Sequence, residues 1–337
     1  MASTTINRQF LLAARPKGMV KESDLKYSQT TVPEPGPGEV LVRTTYISLD
    51  PSMRGQMENR ADYVAPLQIG EVMRAGSTAE VIKSNHPDYA VGTLVSGSFG
   101  MQDYCVSNGR NVPMRVFPAG VDPVMALGVL GGTGMTAYFG LLELGQPKAG
   151  DVVVISGAAG ATGSIAGQIA RLKGCRVIGM AGSPEKCRWL MDDLGFDAAI
   201  NYKTQNVGEE LDRLCPKGIN VYFDNVGGEI LDACLARIAI NARVVICGGI
   251  SRYNATGPIP GPRNYFNLVY RRARMEGFIV IDYANRFGEA SKEMKHWIDA
   301  GLIKHQATVI EGFRSLPRAL VQLFEGVNTG KLMVRTD

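Results

Sequence analysis

The residues from Gly157 to Gly163 have the composition and spacing of a phosphate-binding turn. Their sequence is Gly-Ala-Ala-Gly-Ala-Thr-Gly; a short apolar run at residues 151–156 precedes it, and a segment with apolar residues at helical spacing follows until Gly174. Glycine lacks a Cβ, so such a turn bends sharply and brings backbone N–H groups close to a pyrophosphate. Because the N-terminus of the following helix favours an anion, the strand, turn and helix together predict a dinucleotide site.

The residues that follow the next apolar run indicate which dinucleotide is bound. An NAD site usually carries Asp or Glu about 20 residues after the first glycine, to bind the ribose 2′-hydroxyl. This chain has Gly182 there, followed by Ser183, Lys186 and Arg188, which offer hydroxyl and cationic partners to a 2′-phosphate. Ser183 is also a good N-cap for a helix with Pro184 at its first position, and one hydroxyl can serve both roles. The sequence therefore favours NADPH.

The composition is that of an ordinary globular chain with room for two domains. The 337 residues are 45% hydrophobic and 20% charged, and the net charge of +4 gives no reason to expect a nucleic-acid partner. No apolar run reaches membrane-spanning length, and the stretch from Met1 to Phe10 lacks the pattern of a signal peptide. We therefore expect a cytoplasmic protein without a membrane partner.

Metal ligands are not grouped in the sequence. The six cysteines include no Cys-x-x-Cys pair, and the three histidines, His86, His296 and His305, have no partner at metal-ligand spacing. We therefore expect no bound metal and interpret the cysteines as small buried side chains.

The pattern of predicted elements changes near Asp122. Before it, strand-like runs punctuated by Pro and Gly predict a β-rich domain, with strands at residues 9–13, 40–49, 79–83, 93–96 and 103–106. The segment from Asp50 to Gly55 and the pair Asp62 and Tyr63 have neither helical nor strand periodicity. We expect them to connect strands, in a position where binding sites tend to lie.

After Asp122, strands alternate with helices, which predicts a parallel sheet with crossover helices in a doubly wound α/β fold. Helices are predicted at residues 123–130, 136–144, 207–214, 229–240 and 289–299, with Gly131, Gly132 and Gly134 separating the first two. Further strands are predicted at residues 197–200, 219–223, 242–247 and 275–279. A last strand, helix and strand, at residues 306–310, 316–324 and 331–335, are expected to return to the first domain.

Nine short motifs occur in a recognisable order along almost the whole chain. They are Ser48-Leu-Asp-Pro-Ser-Met-Arg54-Gly, Gly134-Met-Thr-Ala-Tyr138, Ala158-Ala-Gly-Ala-Thr-Gly163, Gly182-Ser-Pro-Glu-Lys186, Asn201-Tyr-Lys203, Asp224-Asn-Val-Gly-Gly228, Cys247-Gly-Gly-Ile-Ser-Arg-Tyr253-Asn, Gly277-Phe-Ile-Val280 and Asn328-Thr-Gly-Lys331. In this order they resemble the motifs of the zinc-independent medium-chain dehydrogenase/reductase family, in particular its prostaglandin reductase, leukotriene B4 12-hydroxydehydrogenase and curcumin reductase group.

The resemblance implies a fold and an activity. It implies a GroES-like catalytic domain, for which we expect residues 1–122 and 300–337, and a Rossmann domain at residues 123–299. It also implies NADPH-dependent reduction of the C=C bond of small α,β-unsaturated ketones or aldehydes, and a homodimer.

The resemblance further assigns roles to single residues. In such enzymes the 2′-phosphate is held by residues that match Ser183, Lys186 and Tyr202. Other cofactor contacts match Gly157, Ala159, Gly160, Thr162 and Gly163 of the turn, together with Asn225, Cys247, Ile250, Ser251, Phe278, Val280 and Asn328. Tyr63 and Tyr253 match tyrosines near the substrate carbonyl. The chain departs from the family at Ser52 in the expected substrate pocket, where the family usually has Tyr between Pro and Met.

The chemistry of enone reduction explains why a tyrosine is needed. Hydride delivery to the β-carbon builds negative charge on the carbonyl oxygen, so the site requires a hydrogen-bond donor there and a proton source for the α-carbon. A phenol can supply both at neutral pH. Tyr253 follows a predicted sheet strand, in a turn-rich loop where ligands bind in such folds, and Tyr63 lies in the other domain. Cys247 has no neighbouring base and is interpreted as a contact, while Arg54 is a candidate pocket residue that we expect rather to brace its loop.

Three classes of function remain open at this point. The first is an NADPH-dependent alkene reductase. The second is a quinone reductase of the same superfamily, and the third is a non-catalytic protein that binds NADPH. Short-chain reductases are disfavoured because the chain contains no Tyr-x-x-x-Lys.

Overall fold

The computed structural model describes residues 6–60 and 64–336. These residues form two compact units. Gly128–Gln306 makes up one unit, and the chain on either side of it makes up the other. The fold class expected from the sequence is confirmed, because one unit is β-rich and the other is built on a parallel sheet.

Mostly antiparallel pairing builds the unit that contains both ends of the chain. Its described strands are β1 (Ile6–Leu12), β2 (Leu25–Thr31), β3 (Val40–Ser48), β4 (Ser77–Ser84), β5 (Leu94–Gly97), β6 (Tyr104–Ser107), β7 (Met114–Val116), β14 (Ala307–Glu311) and β15 (Lys331–Arg335). β1 pairs with β2, and the larger sheet has the order β14-β15-β3-β4-β5-β7, with β6 paired to β3. Because β15 pairs with β3, with Met333 opposite Ser48, the last segment of the chain belongs to this sheet.

The described residues of this unit also form three α-helices, α1 (Ser52–Gln56), α2 (Pro123–Leu127) and α11 (Leu316–Glu325). Four of the six buried residues of α11 recur at the spacing of one helical face, and they are Leu316, Ala319, Leu320 and Leu323. That face packs in the same apolar cluster as Phe10, Ile47 and Leu332 of the sheets.

The second unit is a doubly wound sheet in which all six strands are parallel. Its strands are β8 (Val152–Ile155), β9 (Arg176–Ala181), β10 (Ala198–Asn201), β11 (Ile219–Asp224), β12 (Ile238–Ile246) and β13 (Arg274–Gly277), in the order β10-β9-β8-β11-β12-β13. Its helices are α3 (Gly132–Phe139), α4 (Ala161–Leu172), α5 (Pro184–Arg188), α6 (Val207–Leu214), α7 (Gly228–Leu235), α8 (Ile250–Tyr253), α9 (Asn267–Tyr270) and α10 (Phe287–Asp299). This strand order is that of a Rossmann fold.

The local structure departs from the predictions in four places. The segment from Asp50 to Gly55 was expected to be irregular, but Ser52–Gln56 is a helix, which is too short to show an apolar repeat. The helix predicted at residues 229–240 ends at Leu235, because Ile238 already pairs with Ile219 in the sheet. Strands β2 and β7 were not predicted at all.

The fourth departure concerns the glycines near the start of the second unit. Gly132 and Gly134 do not separate two helices but form the first turn of α3. A Cβ on Gly134 would lie 1.7 Å from the carbonyl oxygen of Val129, so only glycine allows the helix to begin this close to the preceding turn.

Candidate functional site

The turn between β8 and α4 has the geometry that the glycine spacing predicted. Gly157 has a φ of +57°, a left-handed conformation that favours glycine. A Cβ on Gly163 would lie 2.5 Å from the Gly157 carbonyl oxygen, so the helix can pack this closely on the turn only with glycine there. Ala159 and Thr162 lie in the turn and the first turn of α4 respectively.

The start of α4 can bind an anion. Its N-cap is Gly160, which has no side chain to satisfy the first N–H groups of this 12-residue helix. Such groups have no partner within a helix, and the helix dipole adds positive potential at this end. The donor set therefore fits the pyrophosphate of a dinucleotide.

The turn lies where ligands bind in open parallel sheets. β8 and β11 are neighbours, but the chain leaves β8 towards β9 on one side and leaves β11 towards β12 on the other. A crevice forms outside the carboxyl ends of strands at such a switch in strand order. Asn225, the first residue after β11, faces this point, since its Nδ2 donates to the Ser156 carbonyl at 2.7 Å.

Gly182 stands against a tyrosine and a lysine of the neighbouring strand end. A Cβ on Gly182 would lie 2.7 Å from the Tyr202 hydroxyl oxygen and 3.3 Å from Lys203 Cε. An Asp or Glu at this position, as an NAD site would require, does not fit without displacing Tyr202. The absence of a side chain at Gly182 is therefore part of the site's geometry.

The cation expected to bind the 2′-phosphate lies close to a second cation. Lys186 is half-buried in α5, where Ser183 is the N-cap and its Oγ accepts a hydrogen bond from the Lys186 N–H at 3.3 Å. Burial lowers the pKa of the Lys186 ammonium, and the positive charge of Lys203 lowers it further. Two repelling cations beside a phenol form a donor set that suits a dianionic phosphate.

The sequence did not identify Lys203 as a residue of the phosphate site, and it was named only as the end of the motif Asn201-Tyr-Lys203. Its position directly after Tyr202, at the end of β10, could have indicated it, because β10 lies beside β9 and the two strands end at the same edge of the sheet. The sequence did not show that its side chain returns towards Gly182.

Cys247 is a thiol rather than a thiolate. It follows β12 and is half-buried, and burial together with the negative charge of Asp224 raises its pKa to about 12. A neutral thiol is a poor nucleophile, which agrees with the interpretation of Cys247 as a contact residue.

Tyr253 lies in a short helix and not in the loop that we expected. It is the last residue of α8, and its hydroxyl oxygen accepts a hydrogen bond from the Gly249 N–H at 3.2 Å. The phenol therefore folds back over the Gly248 and Gly249 pair at the end of β12. An accepted hydrogen bond leaves the phenolic O–H available as a donor.

The remaining predicted residues of this unit differ in their surroundings. Ile250 and Ser251 lie beside the turn after β11, with the Ile250 N–H donating to Asn225 O at 3.3 Å and Ser251 Oγ donating to Val226 O at 2.6 Å. Phe278 packs against the end of α3, where a Cβ on Gly140 would lie 2.4 Å from its ring. Val280 begins a 3₁₀ turn after β13.

Three predicted residues with described positions belong to the other unit. Ser52 is the exposed first residue of α1, and Asn328 Nδ2 donates to the Gly330 carbonyl at 2.8 Å. Arg54 is buried, and its guanidinium donates to Glu58 Oε1 at 2.9 Å and to the Pro16 carbonyl at 3.1 Å. These contacts make Arg54 a brace for the start of the chain. Tyr63 lies outside the described residues.

Within residues 6–60 and 64–336, no cluster of three or more His, Cys, Asp or Glu side chains could hold a metal ion. Within the same ranges, no helix has both the length and the apolar character needed to cross a membrane.

Comparison with known proteins agrees with this two-unit architecture. Two family models match, one described as the N-terminal domain of oxidoreductase at residues 8–114 and one as zinc-binding dehydrogenase at residues 161–296. The fold and the site thus define a two-domain oxidoreductase, one domain of which has a Rossmann fold.

Individual relatives define the group within that class. The NADPH-dependent curcumin reductase of Escherichia coli is 41% identical over 98% of this chain and 96% of its own, and the NADP(+)-dependent 2-alkenal reductase of Nicotiana tabacum is 38% identical over 99% and 98%. The crystal structure of CurA from Vibrio vulnificus with NADPH has a TM-score of 0.93 and 42% identity, covering 98% of this chain and 99% of that one. The chain therefore belongs to the zinc-independent medium-chain dehydrogenase/reductase family, in its prostaglandin and curcumin reductase group.

Proposed function

We propose that this protein is an NADPH-dependent reductase of α,β-unsaturated ketones and aldehydes, which transfers a hydride to the β-carbon of the C=C bond. The observation that carries the cofactor assignment is the placement of Tyr202 and Lys203 against Gly182, with Lys186 close enough to Lys203 for that charge to lower its pKa. The reaction is supported by the relatives, which are named for curcumin and for 2-alkenals.

NADPH is the cofactor, and its binding residues form three sets. The pyrophosphate binds at the start of α4, and the 2′-phosphate binds Ser183, Lys186 and Tyr202. The rest of the cofactor contacts Asn225, Cys247, Ile250, Ser251, Phe278, Val280 and Asn328. The first two sets are supported by the geometry around Gly157 and Gly182, and the third set depends on the resemblance between the motifs.

Tyr253 is the proposed donor to the substrate carbonyl. NADPH supplies the hydride when bound. As negative charge develops on the carbonyl oxygen, a preorganised donor stabilises it, and the α-carbon takes a proton from the phenol or through water, so that the C=C bond gains one hydride and one proton. The Gly249 N–H fixes the Tyr253 oxygen, so the O–H can be aimed at an acceptor without further ordering. Tyr63 is the alternative donor, and only its match to a tyrosine of the family supports this role.

Ser52 is proposed to enlarge the acceptor pocket in comparison with relatives that carry tyrosine there. The substitution Ser52→Tyr should then slow bulky enones more than small ones. If the rates fall equally across a size series, position 52 does not line the pocket. Arg54 belongs to this proposal only as the brace of the same segment.

A panel of acceptors tests the proposed reaction. NADPH oxidation is followed by absorbance with enones, enals and quinones, and the products are identified by mass and by retention of the carbonyl group. Enones and enals that gain two hydrogens at the C=C bond would support the proposal. Faster oxidation with quinones throughout would favour a quinone reductase, and NADPH binding without oxidation by any acceptor would favour a non-catalytic protein.

The proposal also includes a cytoplasmic homodimer, with residues 1–122 and 300–337 as the catalytic domain. The support for the homodimer is β13, all four residues of which are exposed at the edge of the parallel sheet. Antiparallel pairing of two copies about Met275 would put Arg274 of each copy opposite Glu276 of the other. Such a contact is self-complementary, as a two-fold interface requires.

A further inference from the structure

Asp224 is a buried carboxylate at the end of β11, and none of the roles assigned above uses its side chain. It has no exposed surface. Its Oδ1 accepts hydrogen bonds from Tyr222 OH at 2.7 Å, Ser156 Oγ at 2.8 Å, Gly227 N at 2.9 Å and Val226 N at 3.0 Å. A buried carboxylate is costly unless its oxygens are hydrogen-bonded, so Asp224 and these four donors constrain one another.

One of these donors links Asp224 to the cofactor turn. Ser156 directly precedes Gly157, and its Oγ, which donates to Asp224, also accepts from the Asn225 N–H at 2.8 Å. The Asn225 side chain returns to the same serine, with Nδ2 donating to the Ser156 carbonyl. Asp224, Ser156 and Asn225 therefore form a closed set of hydrogen bonds across the ends of β8 and β11.

The backbone of Asp224 extends this set to a third strand. Its carbonyl oxygen accepts from the Cys247 N–H at 2.9 Å and the Gly248 N–H at 3.0 Å, both just after β12. Its carboxylate meanwhile holds the N–H groups of Val226 and Gly227, in a turn where Gly227 has a φ of +73°. One residue thus connects the ends of three adjacent strands, each of which continues into a turn with a proposed cofactor contact.

We infer that Asp224 is a positioning residue for the cofactor: its carboxylate fixes Ser156 and, through Ser156, sets the orientation of Asn225 beside the Gly157 turn. This inference rests on the proposed function only in that NADPH binds at this turn. A carboxylate with a purely structural role would change the stability of the fold and leave the affinity of a folded variant for NADPH unaltered.

Two buried hydroxyl groups that donate to Asp224 allow a positioning role of this carboxylate to be distinguished from a purely structural one. Tyr222 and Ser156 each donate to the same carboxylate oxygen, at nearly equal distances, but only Ser156 also binds the Asn225 N–H. Ser156→Ala and Tyr222→Phe therefore remove the same contact to Asp224 and differ in the link to Asn225. The dissociation constant for NADPH is measured by fluorescence titration of each variant, and the Tm is measured on the same samples.

We expect one variant to lose NADPH affinity and the other to lose only thermal stability. Ser156→Ala should raise the dissociation constant for NADPH about tenfold, the effect of losing one hydrogen bond within a charged network. Tyr222→Phe should lower Tm and change that constant less than about twofold. If both variants weaken NADPH binding equally, or if Ser156→Ala leaves it unchanged, Asp224 does not position the cofactor.

Asp224→Asn gives a second, independent measurement. The amide keeps the shape of the carboxylate, but it places an NH₂ group where Oδ2 now accepts from the Gly227 N–H at 3.1 Å. NADPH affinity should fall, and the effect should be non-additive with Ser156→Ala because the two residues share one network. Strict additivity of the two effects would overturn the inference.

The wild-type protein distinguishes failure of this inference from failure of the proposed function. If it binds NADPH but reduces no enone, the reaction is wrong and the affinity comparison still decides the role of Asp224. If it binds no NADPH, the cofactor assignment and this inference are both overturned.

Discussion

Two regions of the same parallel sheet differ in whether their polar groups have hydrogen-bond partners within the chain. At the carboxyl ends of β8, β11 and β12, polar groups are buried and bind one another, with Asp224 at the centre. At the outer edge, β13 is exposed along its whole length, and no described strand pairs with its outer side. Exposed apolar side chains flank β13 in the sequence, among them Val269, Tyr270 and Ile281.

The difference suits what each region is proposed to bind. A site whose hydrogen bonds are formed within the chain needs little ordering when a small ligand arrives, so it can fix the position of reacting atoms. An open strand edge with apolar neighbours has unsatisfied backbone groups and apolar surface, both of which a second protein surface can cover. The first region is suited to the cofactor and the second to another copy of the chain.

The largest expected effect tests the first region at Tyr253. Tyr253→Phe keeps the ring and removes one donor aimed at developing charge, which in other oxyanion sites lowers kcat by about 10²–10³. Single-turnover hydride transfer measures the effect, and a loss of about tenfold is compatible if another group also donates. NADPH affinity and oligomeric state should not change.

Tyr63→Phe is the comparison for this variant. If Tyr253→Phe keeps the full single-turnover rate and Tyr63→Phe loses it, the donor is Tyr63. If both variants keep the full rate, the proposed role of tyrosine is wrong.

The second expected effect tests the open edge at Met275. Met275→Glu would place two like charges opposite each other in a two-fold pairing of β13. Because like charges juxtaposed at an interface cost several kcal/mol, we expect the proposed dimer to dissociate about 100-fold more readily. Sedimentation velocity across a concentration series measures this. Val309→Glu is the matched control, because Val309 is similarly exposed on β14, the edge strand of the other sheet. Equal effects of the two substitutions would remove the argument for β13.

The sequence predicted the cofactor turn because every feature of that turn is local. Strand, glycine spacing and helix lie within residues 151–174, and the φ of Gly157 and the close contact of Gly163 follow from them. The Ser183 cap was predicted for the same reason, since Ser, Pro and Glu stand at consecutive positions.

The parts that were not predicted depend on contacts between distant segments. Lys203 reaches Gly182 only because β10 pairs with β9, and Asp224 acts through Ser156, which is 68 residues away. The apolar residues among 236–240 are compatible with either a helix or a strand. They form a strand from Ile238 onward because Ile238 pairs with Ile219 of β11. Helix α1 has only five residues, so periodicity cannot reveal it.

A third prediction compares the two lysines of the phosphate site. Lys186→Ala should weaken NADPH binding by about 1–3 kcal/mol, the scale of a hydrogen bond to a charged group, and barely alter NADH binding. Lys203→Ala should have the same selectivity with a smaller effect, because Lys203 is more exposed. Arg213→Ala is the control, since Arg213 is an exposed cation of the same unit that pairs with Glu210 and lies outside the proposed phosphate site. Equal losses for NADPH and NADH in the Lys186 variant would show an effect on the fold.

The smallest expected effect is a pH dependence of NADPH affinity. Burial and the charge of Lys203 hold the pKa of Lys186 below its ordinary value of 10.5. Below that lowered pKa the ammonium attracts the 2′-phosphate, and above it the neutral amine does not, so the dissociation constant for NADPH should rise as pH rises through it. NADH lacks the 2′-phosphate and should show no rise over the same range.

The Lys203→Ala variant tests whether the charge of Lys203 sets the pH at which the dissociation constant for NADPH begins to rise. Lys203→Ala removes the like charge, so the pKa of Lys186 increases and the rise in the dissociation constant should begin at a higher pH. Lys186→Ala should abolish the rise. Binding titrations from neutral pH upwards, with Tm recorded at each pH to exclude unfolding, measure both outcomes. If the rise begins at the same pH in the wild-type protein and in Lys203→Ala, the charge of Lys203 does not control the pKa of Lys186, and the proposed pairing of the two lysines at one phosphate is wrong.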